Sequence, residues 1–325
     1  MKRYDVIALG ESLIDFVCAQ ENGSLKMTGN PGGAPANVLA MLARLGHKTA
    51  LVSKVGRDAF GGFLRAEFAK AGIDTGYLLS DPQHPTTLAI VQLDAAGNRS
   101  FSFYRDRTAD VMLSEQELPF AALADTEILH FGSLSLTAEP ARSATFAAVR
   151  AARAAGALIS YDPNLRPPLW RDLDEARALL RRGLEEADLV KISEEEVEFL
   201  TGAKEVHQGA RLLCGESRAT LLAVTRGAGG TLFCSGGLQA EANTFDTACV
   251  DTTGAGDASW GAALAWLLEH GAARRALSAA ELAEIMDFAN GAGSLATTRY
   301  GAIPAMPERA EILECIAKTP RLARR

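Results

Sequence analysis

A short glycine-containing segment near residue 255 combines the residue types that a phosphoryl-transfer site needs. The segment Asp251-Thr252-Thr253-Gly254-Ala255-Gly256-Asp257 lies between a strand-like run, Thr247 to Val250, and a helix-like run, Ala258 to Leu268. The glycines are therefore predicted at a helix N-terminus, where unpaired N–H groups and the helix dipole attract phosphate oxygens. Asp257 in the first helical turn could accept the proton of an attacking hydroxyl. A capped helix with a tight turn, without any chemistry, is the alternative.

A second glycine turn precedes a helix in the N-terminal part of the chain. The run is Gly29-Asn30-Pro31-Gly32-Gly33-Ala34-Pro35-Ala36-Asn37, and the helix predicted after it covers Val38 to Leu45. Four further segments carry polar or glycine residues next to predicted elements: Gly10 to Asp15, Asp162 to Arg166, Lys191 to Glu196 and Val224 to Gly230. The chemical interpretation therefore does not depend on one short motif.

In this order and spacing, the segments resemble the motifs of the ribokinase-like (PfkB) carbohydrate kinase family, with its early GGAPAN and late DTTGAGD. The resemblance covers essentially the whole chain. It implies an α/β fold: one domain over residues 1–325, with a mostly parallel sheet, helices on both faces and a small β-sheet lid. It also implies an enzyme that transfers a phosphoryl group from ATP to a sugar hydroxyl.

The resemblance implies a role for each matching residue. Asp257 would be the catalytic base, the amides of Gly254, Ala255 and Gly256 would form an anion hole, and Arg166 would add a positive charge. The sugar would contact Asp257 together with Asp15, Gly32, Gly33, Asn37, Phe103, Tyr104 and Arg105. ATP would contact Asn164, Arg166, Ser193, Thr225, Arg226, Gly227, Gly230, Gly254, Gly256 and Asn290.

Two cations are implied in the same way. Ser193-Glu194-Glu195-Glu196 resembles the NxxE element of the family, so Glu196 would bind Mg²⁺, directly or through water. Serine replaces the asparagine of that element, which leaves the contact of Ser193 open. A monovalent cation such as potassium would lie near the anion hole, with Asp251, Thr253 and Gly301 as its ligands.

Short apolar runs alternate with helical periods along most of the chain, which predicts a parallel sheet. The predicted strands are Val6 to Leu9, Ala50 to Val55, Glu127 to Phe131, Leu158 to Asp162, Leu189 to Ile192 and Thr220 to Val224. Thr231 to Cys234 and Leu238 to Ala242 are predicted as antiparallel edge strands.

A hairpin interrupts this alternation. Thr87 to Leu93 and Arg99 to Arg105 are predicted as its strands, joined by Asp94 to Asn98. Leu13 to Ala19 is predicted to leave the core after the first strand. By resemblance, segments near 13–33 and 86–105 form the lid over the sugar.

Composition limits the partners. The 325 residues are 48% hydrophobic and carry a net charge of −7, which disfavours nucleic acid or an anionic membrane as a partner. The chain has no apolar run before the first strand and no long apolar stretch, so a cytoplasmic protein is expected. The resemblance adds a homodimer formed through the lids.

The natural sugar is open to more than one interpretation. Segments Phe103 to Leu113 and Asp162 to Trp170 look most like those of fructokinases, which form fructose 6-phosphate. An arginine in the lid also suits the carboxylate of 2-keto-3-deoxygluconate, so a 2-dehydro-3-deoxygluconokinase is an alternative. An aminoimidazole riboside kinase is a third. A non-catalytic sugar or nucleotide sensor on the same fold is the alternative of a different class.

Overall fold

The computed structural model of the chain describes residues 2–21, 23–93 and 99–323. Its strands are β1 (Tyr4–Leu9), β2 (Leu13–Glu21), β3 (Ser24–Gly32), β4 (Thr49–Gly56), β5 (Ile73–Asp74), β6 (Leu78–Asp81), β7 (Thr87–Leu93), β8 (Arg99–Tyr104), β9 (Thr126–Gly132), β10 (Leu158–Asp162), β11 (Leu189–Ser193), β12 (Leu221–Thr225), β13 (Thr231–Ser235) and β14 (Leu238–Ala242).

Most α-helices among these residues come between two β-strands in chain order. They are α1 (Ala34–Arg44), α2 (Ala59–Lys70), α3 (Phe120–Leu123), α4 (Ala141–Ala154), α5 (Leu173–Glu186), α6 (Glu194–Thr201), α7 (Val206–Glu216), α8 (Ala255–Glu269), α9 (Ala279–Ala296) and α10 (Arg309–Lys318). No helix in the described ranges is long and apolar enough to cross a membrane.

The large sheet has the order β14-β13-β12-β11-β10-β9-β1-β4-β5, with β6 also paired to β4. Its pairs from β12 to β5 are parallel, and β13 and β14 join the edge antiparallel. Strands β1, β9, β10, β11 and β12 are buried, mostly apolar runs whose side chains belong to two hydrophobic clusters. The predicted parallel sheet with an antiparallel edge is therefore confirmed.

The small sheet has the order β3-β2-β7-β8. The predicted strands β2, β7 and β8 are confirmed, whereas the loop predicted at residues 94–98 lies outside the described residues. Strand β3 was not predicted, because Ser24–Gly32 contains glycine, proline and polar residues. It pairs antiparallel with β2 along its whole length, from Ser24 opposite Glu21 to Gly32 opposite Leu13.

One predicted strand and the predicted start of α1 were wrong. Thr247 to Val250 does not form a strand. The N–H groups of Val250 and Asp251 instead donate to the carbonyl of Thr297 just after α9, so the end of this segment is bonded to the C-terminal end of that helix and does not extend the sheet. Helix α1 begins at Ala34, four residues before the predicted start, because proline is tolerated in the first helical turn.

Candidate active site

A cavity of about 570 Å³ lies where the large sheet, the small sheet and the N-termini of α1 and α8 meet. Parallel strands deliver their carboxyl ends to one edge of a sheet, which is the usual place for a ligand site in such folds. The predicted site residues that line this cavity are Asp15, Gly33, Asn37, Phe103, Asn164, Arg166, Asp251, Thr253, Gly254, Gly256, Asp257 and Gly301.

The glycine turn opens α8 as predicted. Gly254 is its N-cap, with φ 76°, a left-handed conformation that favours glycine. A Cβ at this position would lie 2.5 Å from the Cβ of Ala302, so a side chain has no room. Asp257 lies in the first turn, and its Oδ2 accepts a hydrogen bond of 2.8 Å from Nδ2 of Asn37 at the start of α1. The two glycine motifs therefore meet through these side chains.

Two half-buried carboxyl groups give the cavity unusual acid–base properties. Burial raises the pKa of Asp257, while the positive charge of Lys191 opposes that rise. Burial also raises the pKa of Asp15 to about 7, against the opposing charge of Arg166. A group with a pKa near the working pH can accept a proton during a reaction and release it afterwards.

Asp251 ties the glycine turn to a second loop. Its Oδ1 accepts hydrogen bonds from the backbone N–H and hydroxyl of Thr253, at 3.0 and 2.7 Å. Its Oδ2 accepts the N–H of Gly301 at 3.0 Å. The three residues predicted to bind a monovalent cation are thus in contact with one another.

A second cavity, of about 340 Å³, adjoins the first. Thr252 and Gly256 line both cavities, so the glycine turn is the wall between them. Of the residues predicted to bind ATP, Thr225, Gly227, Gly230 and Asn290 line the second cavity, as does Ala255. The shared wall lets a ligand in the second cavity approach one in the first.

Several predicted site residues do not line either cavity. A Cβ on Gly32 would lie 2.1 Å from Oδ2 of Asp15, so Gly32 makes room for that carboxylate. Tyr104 is 62% exposed. It pairs with Leu88 while Phe103 pairs with Ala89, and because successive strand residues point to opposite faces, Tyr104 faces away from the cavity.

Arg105 lies beyond the end of β8, with its side chain only 3% exposed. Its Nε donates to Oδ2 of Asp110 at 2.8 Å, and its Nη1 donates to the hydroxyl of Thr137 at 2.7 Å. Arg105 lines a separate cavity next to the small sheet instead of the first one. Its role in binding the sugar stays a prediction.

The SEEE segment forms a capping box at the start of α6. Ser193 accepts the N–H of Glu196, and Oε2 of Glu196 accepts the N–H of Ser193 at 2.8 Å. Its Oε1 accepts the N–H of Leu165 at 2.5 Å. The carboxylate thus fixes the loop after β10, which carries Asn164 and Arg166. Arg226 pairs with Glu241 at 2.9 Å beside the second cavity.

Two charged residues of the first cavity had no role predicted from the sequence. Glu11 is 2% exposed, and its Oε1 accepts the N–H of Ala34, the first residue of α1. Lys191 is 7% exposed and lies within the apolar run of β11. A lysine inside a run that otherwise predicts a strand buried on both faces is a signal that could have identified it.

Comparisons with known proteins find relatives that match nearly the whole chain. The profile of the pfkB family carbohydrate kinases matches residues 3–309. Fructokinase-1 of Zea mays is 41% identical over 317 residues, which cover 96% of this chain and 98% of the relative. The fructokinase of Xylella fastidiosa, solved with bound ATP, has a TM-score of 0.88 at 35% identity and covers 97% of this chain and 99% of its own.

A double mutant of the fructokinase of Vibrio cholerae O395, solved with fructose, ADP and potassium ion bound, has a TM-score of 0.87 at 33% identity. The match covers 97% of this chain and 99% of that one. Family motifs, fold and full-length similarity therefore agree, and the chain belongs to the pfkB family of carbohydrate kinases.

Proposed function

We propose that this enzyme phosphorylates D-fructose with ATP, giving fructose 6-phosphate and ADP. The observation that carries the proposal is the glycine turn shared by the two cavities, with Asp257 beside it on the side of the first cavity. A sugar in the first cavity and ATP in the second would meet at this turn. Catalysis of phosphoryl transfer rests mainly on such alignment and on stabilising charge.

In this reaction the sugar hydroxyl attacks the γ-phosphorus of ATP. The new O–P bond forms, the bond from phosphorus to the β–γ bridging oxygen breaks, and ADP leaves with that electron pair. Asp257 orients the hydroxyl and takes its proton as the bond forms, because a carboxylate is too weak a base to ionise the alcohol beforehand. The amides of Gly254, Ala255 and Gly256 bind the phosphoryl oxygens, and Arg166 adds positive charge.

Similarity and the state of Arg105 both support fructose as the sugar. The Zea mays relative is a fructokinase, and the Vibrio cholerae structure has fructose and ADP bound. Asp110 already neutralises Arg105, so this arginine is not free for the carboxylate of 2-keto-3-deoxygluconate. Asp15 and Asn37 would bind sugar hydroxyls, since their side chains line the first cavity.

Cations complete the proposal. Both carboxylate oxygens of Glu196 accept backbone hydrogen bonds, and no group of three or more metal-binding side chains occurs in the described parts of the chain. This fits an Mg²⁺ ion that is bound chiefly by ATP phosphates and water, with Glu196 accepting a hydrogen bond from one of these water molecules. Bound Mg²⁺ would neutralise phosphate charge. Potassium would lie near Asp251, Thr253 and Gly301.

A sugar panel is the direct test of this function. We expect ATP-dependent phosphorylation of fructose with a higher kcat/KM than for 2-keto-3-deoxygluconate or aminoimidazole riboside, measured by coupled ADP release. Robust activity on the acid with none on fructose would overturn the choice of sugar. A protein that consumes no ATP with any of these sugars would favour a sensor.

Activity should depend on pH near neutrality because the pKa of Asp15 is raised to about 7. As the pH falls through this value Asp15 gains a proton and loses capacity to accept hydroxyl hydrogen bonds. We expect kcat/KM for fructose to fall about tenfold from about pH 8 to about pH 6. Initial rates at limiting fructose check this. Asp15→Asn should be less active at the higher pH and should lack this change, whereas a flat wild-type profile would contradict the assignment.

We also propose that the small sheet is a lid over the sugar within a single kinase domain, and that two lids pair in a cytoplasmic homodimer. Leu25 is 65% and Met27 is 41% exposed on β3, so they offer an apolar surface. Leu25→Asp/Met27→Asp should convert a dimer to a monomer in light scattering. Leu313→Asp, at a leucine on α10 that is 54% exposed, is the control and should stay dimeric. An unchanged mass for the double variant would contradict pairing through β3.

A further inference from the structure

Lys191 lies under the glycine turn, in a position that the mechanism above does not use. Its side chain points from β11 into the first cavity, which Gly256 and Asp257 also line. A Cβ built on Gly256 would lie 3.2 Å from Nζ of Lys191 and 3.4 Å from its Cε. The absence of a side chain at position 256 therefore gives the ammonium group access to the turn.

A buried carboxylate holds this ammonium group in place. Nζ donates to Oδ2 of Asp162 at 2.8 Å, and Asp162 is 1% exposed. The other oxygen of Asp162 accepts the N–H of Asn164 at 3.1 Å. Within the described residues, Asp162 is the only hydrogen-bond partner of Nζ, although an ammonium group has three donors. Donors therefore remain for a ligand in the cavity.

The charge balance of the cavity favours such a cation. Its lining contains four acidic side chains, Glu11, Asp15, Asp251 and Asp257, but only two basic ones among the described residues, Arg166 and Lys191. The phosphates of ATP would add further negative charge next to these carboxylates. A fixed positive charge close to the turn reduces this repulsion and stabilises charge on the transferred group.

We propose that Lys191 is a phosphate-binding catalytic residue, whose ammonium group contacts the oxygens of the transferred phosphoryl group as it passes Gly256. Asp162 is its positioning residue. Burial lowers the pKa of Lys191, but nearby carboxylates, above all Asp162, outweigh this effect and raise the pKa, so the group stays charged at neutral pH. The inference rests on the proposed ATP-dependent reaction but not on which sugar is used.

The test must separate this role from that of a structural ion pair. Lys191→Met alone would leave Asp162 buried and unpaired, which can unfold a protein. The full-length Lys191→Met/Asp162→Asn enzyme is therefore compared with Asp162→Asn, which keeps the ammonium group. If the double variant does not fold, Lys191→Gln is compared with the wild type instead. Its amide can still donate to Asp162 but lacks the positive charge.

Calorimetric titration with AMP-PNP and with ADP, in the absence of sugar, measures how much the terminal phosphate contributes to nucleotide affinity. Relative to its control, each charge-deleted variant should bind AMP-PNP about 10 to 100 times more weakly, with ADP affinity changed by less than about threefold. Turnover should fall by about 10² to 10³. Unchanged relative affinities together with turnover within about threefold of the control would overturn the proposal. If fructose is not the substrate, the nucleotide titrations still decide the role of Lys191.

Discussion

Replacing Asp257 with asparagine should lower turnover by about 10² to 10⁴ while ATP affinity changes little. Asparagine has the same shape and can still contact Asn37, but it cannot take the proton of the sugar hydroxyl. The variant should fold, because the substitution replaces a half-buried carboxyl group, whose pKa is raised by loss of solvent, with a neutral amide of similar shape. Steady-state kinetics at saturating fructose and ATP, together with thermal unfolding, measure both effects.

Asp174→Asn is the matched control for this substitution. Asp174 lies in the first turn of α5, and its side chain is 88% exposed, so turnover should equal that of the wild type. Asp257→Glu keeps a carboxylate but displaces it, and its turnover should lie between those of wild type and Asp257→Asn. Near-wild-type turnover of Asp257→Asn would remove Asp257 from the role of base.

Arg105→Met should destabilise the protein by about 3–5 kcal/mol, because it leaves Asp110 buried without its cation. The side chains of this pair are 3% and 1% exposed. Asp110 also accepts hydrogen bonds from the hydroxyls of Thr87 and Thr108, at 2.5 and 2.8 Å. Loss of the ion pair should therefore also weaken the hydrogen bonds that hold Thr87, at the start of β7 in the small sheet. Urea unfolding followed by fluorescence measures the free energy of unfolding.

Arg105→Met/Asp110→Asn removes both charges and should recover more than half of that loss, since no unpaired charge remains. Fructose turnover should fall without being abolished in the double variant, because Arg105 does not line the first cavity. A loss of stability below about 1 kcal/mol in Arg105→Met would contradict the buried pair. Complete loss of fructose activity in a folded double variant would instead indicate direct contact with the sugar.

The fold was predictable because its signals are local. Parallel strands that are buried on both faces must be apolar throughout, and the runs at β1, β9, β10, β11 and β12 have this character. Strand β3 lacks it, since Ser24–Gly32 is mostly exposed until its last residues. Its conformation depends on pairing with β2, which no periodicity within the segment reveals.

The site was predictable only where chemistry and turn geometry coincide in sequence. Gly254 to Asp257 form the N-cap and first turn of α8, so their arrangement depends on residues that are adjacent in the sequence. Tyr104 and Arg105 show the limit. Because side chains alternate along β8, Tyr104 points to the opposite face of the sheet from Phe103. Arg105 forms an ion pair with Asp110, five residues further along the chain.

The sequence by itself determined the alternating elements, the two glycine turns and the catalytic motif, because each depends on residues that are close along the chain. Only the tertiary structure decided which distant side chains meet. The strand order puts β10 beside β11, which brings Asp162 into contact with Lys191, 29 residues away in the chain. The packing of α1 on α8 brings Asn37 into contact with Asp257, 220 residues away. The raised pKa values of Lys191 and Asp257 follow from that packing.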